Sequence, residues 1–175
     1  MMKNELDRYM TNHTVLEKRI ERFEEEGVIK VSRNNNEEIK GHMMKSEHNL
    51  NFVNDNMRLG YRDWAIVGCY YASYHAAIAL IMTKGYRSKN HLATLLLLIR
   101  YFFDNGLDKS DIEAMATLLD YHDLLFYVES KNKREEAAYT TRLNYDDAQV
   151  RDMRMKTALF ISKSKEILKE VIYEK

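Results

Sequence analysis

Apolar positions recur at helical spacing along most of this chain. In residues 4–26, Leu6, Tyr9, Met10, His13, Leu16, Ile20 and Phe23 fall on one face and predict a first helix. It runs into the acidic stretch Glu24-Glu25-Glu26 and Gly27, after which Val28 to Val31 alternates weakly, as a short extended link would. Asn34-Asn35-Asn36 before Glu37 and Glu38 reads as a cap region, with acids in the first turn where the helix dipole favours them. A second helix runs to about Leu59 on Ile39, Met43, Leu50, Val53 and Met57, with Gly41 as a weak point.

The third helix is the most telling. From Trp64 to Thr83 no residue carries a formal charge. Trp64, Val67, Tyr71, Tyr74, Ile78 and Ile81 make a stripe of large residues. Ala65, Gly68, Ala72, His75 and Ala79, ending at Met82, make one of small residues. A helix apolar on all sides belongs at the centre of a bundle, and the small stripe admits a close neighbour. Its length would suit a membrane span. Against that, Tyr70, Tyr71, Ser73, Tyr74 and His75 would carry polar groups to mid-bilayer, and no second apolar segment of similar length exists to pack against it. The expectation is a buried central helix and no membrane, with Gly85 ending it at positive φ.

A fourth helix, about residues 89–104, carries the run LLLLIRYFF and stops at Asn105-Gly106. Ser110, or Asp108 before it, starts a fifth through Met115, Leu118, Leu119, His122, Leu125 and Phe126. Residues 130–142 are polar and read as a loop or frayed end. Asn144 is placed to cap the last helix, whose stripe runs from Val150 and Met153 through Thr157, Phe160, Ile161, Ser164, Ile167 and Leu168 to Val171. The pattern predicts an all-α fold: an up-and-down helical bundle of four to five core helices over residues 36–175, with an N-terminal helical extension over residues 1–35.

Composition narrows this further. The 175 residues contain no proline and 6 glycines, which suits long helices and not a turn-rich sandwich or barrel. Lys plus Arg and Asp plus Glu balance at 27 each, so no global basic field draws in nucleic acid, and any RNA contact needs a local patch. The lone Cys69 excludes an intrachain disulfide and a thiolate zinc cluster, and inside the apolar helix it reads as a small hydrophobe. MMKNELDRYM lacks the hydrophobic core of a signal peptide, so a cytoplasmic location is expected.

Several residues could carry chemistry. His75 lies on the small stripe, where a core or interface role competes with a functional one. His91 follows the basic run Arg87-Ser88-Lys89-Asn90, and near a helix start the backbone N–H groups with Arg87 and Lys89 could hold a phosphate. The competing reading is a solvated cap. Tyr71 and Tyr74 are core aromatics with hydroxyls seeking a partner. Asp120, His122 and Asp123 diverge around a helix, and no Glu-x-x-His pair exists, so no metal site is expected. A phosphate-cradling Gly-rich loop and a nucleophile elbow are both lacking, and no cofactor is implied.

Tyr61-Arg62 and then Cys69-Tyr70-Tyr71-Ala72-Ser73-Tyr74-His75-Ala76-Ala77, followed by Ala79-Leu80-Ile81, Gly85 and Ser88-Lys89-Asn90-His91, resemble the signature helix and loop of the HEPN family (higher eukaryotes and prokaryotes nucleotide-binding). Arg134 and Ala138-Tyr139 resemble the family's element before its final helix, with Ala138 where the family has Asp. The likeness covers about residues 45–173. It implies a small helical bundle, often a homodimer, often paired with a minimal nucleotidyltransferase as a toxin–antitoxin-like system. Several branches are metal-independent ribonucleases using an Arg, four to six residues, then a His. Here Arg87 and His91 are separated by three residues, Arg8 and His13 by four but within the extension, and Arg134 is followed five positions on by Tyr139. A tyrosine with its ordinary pKa of about 10 is a poor general base at neutral pH. Two functions follow. The first is a module that binds a nucleotide or nucleic-acid phosphate around Tyr71, His75, Arg87, Lys89, His91, Arg134 and Tyr139. The second is an RNA-cleaving toxin with a displaced Arg/His pair. On the first reading, Arg87→Ala or His91→Ala is expected to weaken binding while leaving thermal stability nearly unchanged.

Overall fold

The computed structural model describes residues 3–33, 35–130 and 146–173. Its helices are α1 (Lys3–Thr11), α2 (His13–Glu25), α3 (Asn36–Leu59), α4 (Arg62–Thr83), α5 (His91–Phe102), α6 (Lys109–Ser130) and α7 (Asp147–Tyr173), and the fold is an all-α bundle. The expected first helix is two. Asn12 turns extended (φ −128°) and its side chain accepts the Val15 N–H, capping α2, because a short amide competes with the helical ladder.

The alternating residues Ile29–Val31 form β1, an antiparallel partner of β2 (Tyr86–Ser88), in the register Ile29↔Ser88, Lys30↔Arg87 and Val31↔Tyr86. Part of the expected loop after Gly85 is therefore a strand. Its partner lies two helices away in the chain, which a local pattern cannot show. Asn35 caps α3 by accepting the Glu37 and Glu38 N–H groups. Gly41 does not interrupt that helix. Asp108 caps the start of α6 through the N–H groups of Ser110 and Asp111, and Asp146 accepts from Ala148 at the start of α7. The polar stretch after Ser130 and the Asn144 cap lie outside the described residues.

Helix α4 is the axis of the core, packed against α3, α5, α6 and α7. It is long and apolar enough to cross a membrane by length and composition, but 78% of that window is buried inside the fold. The small stripe sets how closely α3 approaches. A Cβ built on Gly68 would stand 2.6 Å from Val53 Cγ2, and Ser46 of α3 donates to the Ala72 carbonyl at 2.7 Å. The large stripe behaves differently along its length. Ile78 and Ile81 are buried, Val67, Tyr71 and Tyr74 half-buried, and Trp64 is 54% exposed, so the helix is not enclosed at its N-terminal end. Gly85 takes φ +79° just after the helix, as expected.

The N-terminal helices share the same core. Leu16, Ile20, Phe23 and Ile29 are buried within it, α1 and α2 lie against α5, and Glu17 of α2 pairs with Arg100 of α5 at 2.7 Å.

Candidate functional site

Rings from three helices meet along one edge of α4. His42 of α3 and His75 of α4 approach Nδ1 to Nδ1 at 2.9 Å. The His75 ring is 6.4 Å from Tyr74, which stacks at 4.9 Å on His91, the first residue of α5. Tyr70 closes the row, stacked 5.4 Å from His91, with its hydroxyl 2.8 Å from His91 Nδ1. Tyr71 meets Tyr70 edge-on at 4.8 Å. Helical spacing explains the row: Tyr70 and Tyr74 are four apart on one face, and His75 lies about 100° further round, turned to α3. His75 and His91 therefore border the same tyrosine while each engages a different partner.

Burial sets the electrostatics. His42 and His75 are half-buried, and desolvation lowers the pKa of both. For His75 the fall is to about 4, aided by His42 and Lys45 nearby. His42 also feels Glu38, which opposes the shift, and Lys45 and Arg87, which add to it. Both rings are therefore neutral at physiological pH. Desolvation raises the Tyr74 pKa, against a hydrogen bond with Thr94. Burial pushes the Cys69 thiol up to about 11, leaving it a small apolar side chain.

Arg87 is not an open cation. Its guanidinium forks onto the Glu38 carboxylate and its Nε donates to Ser32 Oγ at 2.8 Å, tying β2 to the start of α3. That bond holds the Glu38 pKa below the usual carboxylate range. Lys89 is exposed at the β2–α5 turn. Asn90 caps α5 by accepting the Ala93 N–H at 2.9 Å, while Ser88 Oγ accepts the Asn90 N–H at 3.0 Å. Arg134 and Tyr139 lie outside the described residues. So do the side chains of Asp120, His122 and Asp123. Among the described residues no three His, Cys, Asp or Glu side chains converge to hold a metal ion.

The sequence reading missed His42. The available signal was its spacing: His42 and Ser46 stand three and seven residues after Ile39 on the buried face of α3, and both touch the small stripe of α4. Counting only apolar residues on that face passed over its polar members.

These features define a helical bundle whose central helix carries tyrosines and an imidazole to a shared edge. The HEPN domain model matches residues 39–169, and the chain belongs to the HEPN domain family. It is also 28% identical over 112 residues to a Methanocaldococcus jannaschii protein provisionally named a toxin, across 64% of this chain and 74% of that protein.

Proposed function

We propose that this chain is a HEPN module that binds a nucleotide or a nucleic-acid phosphate, with single-stranded RNA the ligand that suits it best. The observation that carries this reading is the row of rings joining α3, α4 and α5, with the exposed Lys45 acting on both His42 and His75 and the exposed Lys89 two residues before His91 in the chain. Aromatic and imidazole faces stack on bases without regard to sequence, and lysines outside the row neutralise phosphates. The chain's net charge of zero makes such a local pair of cations decisive. Arg87 supports the site indirectly, through Glu38, by holding β2 and the loop that bears Lys89.

The test is fluorescence anisotropy with a labelled single-stranded oligoribonucleotide over a range of salt. Lys45→Ala/Lys89→Ala is expected to weaken binding and to lower the slope of log K against log salt by about 1–2, since each phosphate contact contributes about 0.7 for single strands. A wild-type protein that does not bind RNA or nucleotide, or a double variant that binds as the wild type does, would refute the proposal.

Two assemblies accompany this reading in the cytoplasm: a homodimer, and a complex with a minimal nucleotidyltransferase of a toxin–antitoxin-like pair. The toxin name of the M. jannaschii relative supports the second. Exposed apolar side chains support the first. Phe52 and Leu59 of α3, Tyr61 at the α3–α4 turn, Trp64 of α4, and Met155 and Leu159 of α7 all face outward on helices that pack together.

A further inference from the structure

The β1–β2 ribbon leaves one edge of β1 unpaired. In an antiparallel pair, residues that bond across the ladder alternate with residues that turn their N–H and C=O away. Ser32, just after β1, donates its N–H to the Gly85 carbonyl at 2.8 Å, extending the Val31↔Tyr86 register by one pair. Ser32 and Lys30 are therefore the bonded positions, and Ile29 and Val31 point their backbone groups away from β2. Outside the ribbon, no described hydrogen bond uses the N–H or C=O of either residue. β1 lies against α2 and Ile29 is buried, whereas Val31 is 82% exposed, more than any other large apolar side chain described.

Charge decides what can pair there. An open strand edge invites another chain, and an edge lysine is a common guard against self-association. A second copy of β1 docked antiparallel about Lys30 would set Lys30 opposite Lys30, a destabilising like-charge pair. An acidic strand meets the opposite situation. Lys30 and Arg33 are exposed, and among the described residues neither makes an ion pair. Arg87, across the ribbon from Lys30, adds no free charge because Glu38 neutralises it. The edge is thus a short apolar strand bearing two cations without counter-ions.

We propose that β1 accepts an extended acidic segment of a partner protein as a third strand, antiparallel to β1. The N–H and C=O groups of Ile29 and Val31 bond the partner's backbone. The partner carries one carboxylate opposite Lys30, a second opposite Arg33, and apolar residues opposite Val31 and Ile29. Read along the partner, the pattern is acid, any residue, apolar, acid, apolar. Main-chain bonds supply the affinity and the alternating side chains the specificity. The strand precedes the residues matched to the HEPN domain, 39–169, and its pairing does not depend on the RNA-binding function of the ring row.

The probe is a labelled peptide, Glu-Ser-Val-Glu-Val flanked by uncharged residues, titrated with the full chain and followed by fluorescence anisotropy. Saturable binding is expected, weakened about fivefold or more by Lys30→Glu, which turns an attractive cross-strand pair into a repulsive one. Replacing the peptide's glutamate opposite Lys30 with lysine should restore binding to that variant. Val31→Pro removes an N–H that the ribbon does not use, at an edge position where proline is tolerated. It should keep its helical signal and lose the peptide. N-methylation of the peptide valine facing Val31 should abolish binding, whereas N-methylation of the glutamate facing Lys30, whose N–H points away from β1, should leave it intact. That pair of peptides decides the matter even if Val31→Pro fails to fold. No saturable binding up to about 1 mM protein would overturn the proposal. So would equal affinity for the two N-methyl peptides, or undiminished binding by Lys30→Glu. A doubled chain mass that Val31→Pro abolishes would also overturn it, because a second copy would then hold the edge.

Discussion

A single histidine sets a pH signature for the whole fold. His75 has an ordinary pKa of 6.5 when exposed and about 4 in the structure. Between those values the unfolded chain binds more protons than the native one, so stability rises with pH through that window and is fully present above it. His42 is shifted in the same direction. Glu38, Asp108 and Asp147 are all pulled below their ordinary range by cationic partners, so they stay ionised from pH 5 to 7 and contribute no opposing slope there. Thermal melts should therefore show a higher Tm at pH 7 than at pH 5, with the difference reduced in His75→Gln. Equal Tm values at the two pH values would count against a desolvated His75.

At the scale of elements, the approach of α3 to α4 turns on one glycine. A methyl group at Gly68 would meet Val53 Cγ2, a fully buried and β-branched side chain with little freedom at χ1. Gly68→Ala gains up to about 1 kcal/mol of helix propensity but forces overpacking that costs about 1–3 kcal/mol. The net effect should be destabilising. Gly41→Ala makes the same exchange on an exposed turn of α3 with nothing within 4 Å, and should stabilise by about 0.5–1 kcal/mol. Denaturant unfolding of the two variants checks the opposite signs; a stabilised Gly68→Ala would mean the helices are further apart than described. Sequence periodicity made this packing legible, because Gly68, Ala72 and Ala79 announce a close neighbour. The split at Asn12 was hidden by an unbroken apolar stripe, and the β1–β2 pair by its long separation in the chain. The site was half legible: His75 and His91 stood out, but His42 reaches its partner only through tertiary packing. Likewise, the expected indifference of stability to Arg87→Ala took no account of Glu38 and Ser32, whose positions only the fold supplies.

At the scale of the molecule, most of the large apolar side chains exposed among the described residues lie on α3, α4 and α7, with Val31 of β1 and Met44 of α3 apart from the rest. The side chains from Phe52 to Trp64 that face outward belong to α3, the following turn and the start of α4, with Met155 and Leu159 on α7. On the homodimer reading, light scattering should give twice the 20.8 kDa chain mass. Trp64→Glu, at a position already 54% exposed, should halve that mass without loss of helical signal. A wild-type mass of one chain would end that reading.

The two-stranded ribbon makes the N-terminal segment a handle on the ring row. Ile29 pairs with Ser88, and the Ser88 hydroxyl braces Asn90, which fixes the first turn of α5 and with it His91. The support of His91 thus reaches back to a strand that precedes both α3 and α4 in the chain.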